Sequence, residues 1–89
     1  MRPTGGVGYV AGMGDGVLYQ YTVYCRPADA TPQRPFAVRQ WLIGAGTVDL
    51  GWVRYAGSLD AARVLVPVSA DYRVPRSADD DPTIVETWT

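Results

Sequence analysis

Hydrophobic and polar positions alternate most clearly between residues 17 and 56, where the period is two. The stretch "VLYQYTVYC" (residues 17–25) is dense in β-branched and aromatic side chains, which fit a pleated surface better than a helix and predict a first strand. Its odd positions, Val17, Tyr19, Tyr21, Val23 and Cys25, are more apolar than Leu18, Gln20, Thr22, Tyr24 and Arg26, so the odd set is expected to face the core. "RPADATPQRP" (residues 26–35) then breaks the pattern, because prolines among small polar residues remove backbone donors and favour turns.

"FAVRQWLI" and "VDLGWVRYA" read as second and third strands, joined by "GAGT" (residues 44–47), whose glycines supply the positive φ of a tight hairpin. Setting Ile43 opposite Val48 places Trp41 against Leu50 and Arg39 against Trp52 on one face. Leu42, Val38 and Phe36 then meet Asp49, Val53 and Tyr55 on the other. Both faces carry bulky apolar groups, and a slip of one residue would exchange them.

The period changes to helical in "GSLDAARVLVP" (residues 57–67). Ser58 is the expected N-cap, Asp60 lies in the first turn where the helix dipole favours an anion, and Pro67 stops propagation. Leu59, Ala62, Leu65 and Val66 share one side and are expected on the sheet, with Asp60 and Arg63 pairing outside. A short extended piece is expected over residues 72–74, then a polar loop turning at Asp81–Pro82, and "TIVETWT" (residues 83–89) as a last strand. The order β-β-β-α-β predicts an α+β fold: a small single antiparallel sheet with one short helix packed on one face. Residues 17–89 form one domain in this reading, and residues 1–16 a Gly-rich flexible tail.

That tail contains "GGVGYVAGMGDG", in which Gly6, Gly8 and Ala11 satisfy the loose form of a dinucleotide-binding turn. Such a turn needs a strand before it and a helix after it, whereas only five residues precede Gly6 and a strand follows Gly16. A phosphate-binding loop with its lysine is excluded outright, since the chain has no lysine. Met13 is an alternative expected translation start.

Composition narrows the chemistry. The 89 residues allow one domain with a thin core, hiding roughly 60–65% of the unfolded surface. Arginine is the only basic residue and lysine, asparagine and histidine are missing, a bias expected of a GC-rich bacterial or phage gene. With eight arginines against nine acids the net charge is −1, which supplies no field to gather a polyanion, so nucleic acid is disfavoured as a partner. One cysteine, Cys25, permits no internal disulfide and fits a reducing cytoplasm, and no apolar run reaches the roughly 18–20 residues of a membrane helix.

Without histidine, the Ser-His-Asp, Cys-His and His-based metal arrangements are excluded within one chain. Asp79, Asp80 and Asp81 are consecutive and point apart, unlike the alternating carboxylates of a calcium loop. They read as a solvated turn partly neutralised by Arg73 and Arg76, so neither a metal nor a cofactor is expected. Among Asp49, Asp60, Asp71 and Glu86, the last is the single glutamate and is expected to be solvent-facing or arginine-paired.

The informative surplus is aromatic. Trp41, Trp52, Trp88 and six tyrosines exceed what one short helix can cover. The chain is therefore expected to be a non-enzymatic interaction module, binding a second copy of itself or a larger protein through an exposed sheet face or edge strand. Its expected contact residues are Arg39, Trp41, Trp52, Arg54 and Tyr55, with the arginines rimming the rings. The alternative is a single-stranded nucleic-acid binder using the same arginines and indoles as a stacking platform, and a third reading is a subunit lending the Glu86 carboxylate to an enzyme complex.

Overall fold

The computed structural model describes residues 17–73 and 77–89; the expected tail over residues 1–16, and Arg76 with it, lie outside the described residues. The strands are β1 (Leu18–Cys25), β2 (Phe36–Gly44), β3 (Thr47–Ala56), β4 (Tyr72–Arg73) and β5 (Ile84–Trp88), with helix α1 (Leu59–Val64) between β3 and β4. All pair antiparallel in one sheet of order β3-β2-β1-β5-β4, so the α+β architecture matches its sequence pattern, and the short extended piece after the helix is a two-residue edge strand.

Burial departs from the simple alternation expected of β1. Tyr21 and Val23 do enter the core with Val38, Ala56, Ala62 and Val66 beneath the helix. Their even neighbours Gln20, Thr22 and Tyr24 are buried as well, whereas Val17 and Tyr19 of the odd set are exposed and Cys25 is half-buried. The reason is position. β1 is the middle strand of the sheet, so both of its faces are covered at its centre, one by α1 and the other by the segment over residues 77–83. The expectation that a lone helix leaves the second face bare is corrected there: an acidic loop, not an apolar element, lies over it.

The helix forms as its sequence dictates. The Ser58 side chain accepts from the Ala61 backbone N–H at 3.1 Å, capping the first turn, and Asp60 lies within that turn. Ala62 and Val66 are buried, Leu59 and Leu65 pack beside them, and Asp60 pairs with Arg63 at 3.8 Å on the outside.

The β2–β3 hairpin closes through Ala45–Gly46, where Gly46 takes φ +77°, a conformation open to glycine at little cost. The register runs as expected through Ile43–Val48 and Trp41–Leu50, then shifts. Gly51 is an extra residue on β3, so Gln40 opposes Trp52, Arg39 opposes Val53 and Val38 opposes Arg54. A Cβ at residue 51 would stand 2.4 Å from Gln40 Oε1, so any other residue there would require the Gln40 amide to move aside. The expected pairs Arg39–Trp52, Val38–Val53 and Phe36–Tyr55 are therefore not formed.

Val23→Ala and Val38→Ala, both at fully buried positions, should each lower stability by about 1–3 kcal/mol through lost burial and the cavity left behind. Val68→Ala, at a fully exposed position, should change it by less than about 0.5 kcal/mol, and denaturant unfolding monitored by tryptophan emission checks the contrast.

Candidate functional site

On the face opposite the helix, five polar side chains form a continuous network. Trp41 Nε1 donates to Thr22 Oγ1 at 2.9 Å, Thr22 donates to Tyr24 Oη at 2.7 Å, and Tyr24 donates to Asp79 Oδ2 at 2.8 Å. The Arg39 guanidinium reaches the same carboxylate oxygen at 2.8 Å and lies 4.1 Å from the centre of the Tyr24 ring. Nearby, the Ala78 N–H donates to Gln20 Oε1 at 2.7 Å, which pins the loop a second time.

Electrostatics hold this cluster in one protonation state. Burial pushes the Tyr24 phenol above its ordinary pKa, and its hydrogen bond to Asp79 pushes the same way. Burial works against the Arg39 charge, but Tyr24 and Asp79 outweigh it and hold the guanidinium pKa above its usual value. Asp81 and Asp29 approach the same guanidinium at 3.9 and 4.0 Å, so Arg39 is surrounded by carboxylates. Asp81 itself titrates below the usual carboxylate range because the Thr83 hydroxyl and N–H donate to it. The acidic run is thus not a wholly solvated turn: Asp79 is its anchor to the sheet. Thr87, opposite Thr22 on this face, is fully buried and its hydroxyl has no hydrogen-bond partner among the described residues.

The helix face carries a second polar contact. Glu86 is buried beside the core and is gripped by the Arg63 guanidinium through Nε and Nη2, and Trp88 Nε1 donates to it at 3.3 Å. These bonds hold the Arg63 pKa above its usual value. Tyr72 meets Trp88 edge to face at 5.3 Å, and the four residues line a shallow hollow of about 300 Å³. With its oxygens already bonded, Glu86 is the arginine-paired strand residue that the sequence led one to expect.

The five expected contact residues do not share a surface. Arg39, Trp41 and Tyr55 lie on the loop face, and Trp52 and Arg54 on the helix face, because the bulge at Gly51 turns the outer half of β3 over. Arg39 is mostly enclosed and covers Tyr24, while Arg54 covers Trp52 at 4.6 Å. Both arginines do rim a ring, but Arg39 takes Tyr24, outside the expected set, and not the Trp52 placed against it in the expected register. The Tyr55 hydroxyl instead donates to Asp29 at 2.7 Å, a bond that raises its pKa.

An exposed apolar patch lies at the hairpin end of the sheet. Leu18, Ile43 and Val48 are paired across three strands, and Leu50 opposes Trp41 on the same face. Leu18, Val48 and Leu50 are each about half exposed, at 56%, 50% and 48%. Beside them runs β3, ten residues long, at the end of the sheet. Among the described residues no group of acids or cysteine is arranged to hold a metal, and no strand pairs with the outer side of β3. The chain matches no protein-family model, no curated protein and no solved structure.

Sequence reasoning missed Tyr24, Thr22 and Asp79 as a unit, because two lie on what looked like the outer side of β1 and the third is distant in the chain. It also passed over Gly51, although an isolated glycine inside a strand is a recognised sign of a bulge.

Tyr24→Phe should cost about 1–3 kcal/mol near neutral pH, since Asp79 loses a donor and Thr22 loses its acceptor. The sign at high pH follows from the raised native pKa. The folded state keeps its phenol proton where the unfolded state has lost it, so this contribution is intact below about pH 10 and fades as pH rises through the native value. Urea midpoints measured from pH 7 to 11 should fall less steeply for Tyr24→Phe than for the parent chain, and parallel slopes would contradict the assignment.

Proposed function

We propose that this chain is a non-enzymatic interaction module that self-associates through the open edge of β3 and the adjoining apolar end of the sheet. A cytoplasmic setting, suggested by the single half-buried Cys25, belongs to the same reading. The observation that carries it is the combination at one place of a ten-residue strand edge, unpaired among the described residues, with the exposed side chains Leu18, Val48 and Leu50. An edge that long presents a row of free backbone donors and acceptors, which monomeric sheets ordinarily shorten, cover or guard with charge. Net charge supports association too, because −1 leaves little self-repulsion to oppose it.

The nucleic-acid reading draws less support from the geometry. A stacking platform needs aromatic rings and cations on one surface, and here Trp41 and Trp52 face opposite ways while Arg39 is neutralised by carboxylates. An enzyme-complex role for Glu86 has to contend with the arginine already holding both of its oxygens.

Light scattering coupled to size exclusion, run over a range of concentrations, should show a species of at least twice the chain mass whose fraction grows with concentration. A constant monomer mass at the highest concentration reached would overturn self-association. Titration with single-stranded oligonucleotides at low salt should leave tryptophan emission unchanged, and salt-sensitive quenching would favour the nucleic-acid reading instead.

A further inference from the structure

Resting on the self-association reading, we propose that the partner is a second copy docked edge to edge, β3 against β3, with Asp49 of each chain facing Arg54 of the other across a two-fold axis at the Gly51 bulge.

The first argument is the direction of the backbone groups. A two-residue hairpin makes its closing pair, Gly44 and Thr47, a hydrogen-bonded pair, and such pairs alternate with non-bonded ones along an antiparallel ladder. The alternation turns the N–H and C=O of Val48 and Leu50 away from β2. Beyond the bulge it does the same for Val53 and Tyr55. These four residues are the donors and acceptors on the outer edge. A two-fold placed at residues 51 and 52 sets Leu50 opposite Val53 of the other copy and Val48 opposite Tyr55, so every outward pair meets an outward pair.

The second argument is the side chains. Those four residues share the loop face, and Val48, Leu50 and Tyr55 are among the large apolar groups left exposed, so the same register that closes the backbone bonds also covers them. On the helix face the non-bonded pairs bring Asp49 opposite Arg54 twice over. Both are exposed, and neither makes an ion pair among the described residues, although Arg39 and Arg63 do. Without the bulge this matching fails. In a regular strand residues 49 and 54 would point to opposite faces, and the extra residue at Gly51 is what puts both charges on one side.

The pairing is self-complementary, so each copy offers one acid and one base to the same partner. That property supplies the test. Asp49→Arg gives a chain with two bases on the edge, and Arg54→Asp gives one with two acids; each repels itself and complements the other. Each variant alone should raise the dimer dissociation constant by about tenfold or more, since like charges opposite one another replace two attractive pairs. Mixed in equal amounts, the two should recover the parent's affinity as a heterodimer, resolved from homodimers by mass in native mass spectrometry. Parent-like far-ultraviolet circular dichroism of each variant would show that the exposed substitutions leave the fold intact. If the parent associates but both variants associate equally well and show no preference for each other, this register is wrong while self-association stands. If the parent is monomeric throughout, both fail together.

Discussion

The Asp79 carboxylate holds the polar cover of the sheet in place. One of its oxygens accepts from the Tyr24 phenol and from the Arg39 guanidinium, each at 2.8 Å, and these two side chains come from adjacent strands in the middle of the sheet. The bond ties a proline-bounded acidic segment, remote in sequence, onto a surface that would otherwise expose Thr22, Tyr24 and Trp41 to water. A six-residue helix covers only one side of the sheet, and for a chain of this size a second bare side would leave too little burial to offset chain entropy. The sheet therefore has two differently made covers, an apolar one of Ala62 and Val66 and a polar one held by charge.

Polar cover differs from apolar cover in what it demands. Apolar packing tolerates small shifts, whereas a buried hydroxyl or carboxylate left without its partner loses its whole hydration. Tyr24 satisfies this by accepting from Thr22 and donating to Asp79, and Glu86 on the other face satisfies it with Arg63 and Trp88. Thr87 is the exception within the described residues, buried beside Thr22 with its hydroxyl unpaired. The covers reach only the middle and one end of the sheet. Both stop short of the hairpin tip, which is where the apolar ladder coincides with the edge of β3 left unpaired among the described residues.

The elements themselves were legible in the sequence because each is specified locally: β-branched runs for β1 to β3, Ser58 and Asp60 for the start of α1, and Gly46 for the turn. Ala62 and Val66 were legible as the sheet-facing side of the helix for the same reason. The second cover was not, since the pairing of Asp79 with Tyr24 spans 55 residues and no local pattern announces it. The candidate contact set suffered from one residue. A regular hairpin puts Arg39 and Trp52 side by side, and a single inserted glycine moves Trp52 and Arg54 to the other face. The aromatic side chains lie on both faces of the sheet, and their location depended on a register that composition does not encode.

The hydrogen-bonded row from Trp41 to Asp79 also has a sense of direction. An indole nitrogen can only give its hydrogen and an ionised carboxylate can only receive one, so the two hydroxyls between them have no freedom in how they turn. Thr22 must pass its hydrogen toward Tyr24, and Tyr24 toward the acid. The dipoles of all three groups line up, each polarising the next, and they converge on the oxygen where the guanidinium also sits. A phenylalanine in place of the indole would leave the order unchanged, because the acid still fixes it from its own end, but Thr22 would then give a hydrogen and receive none.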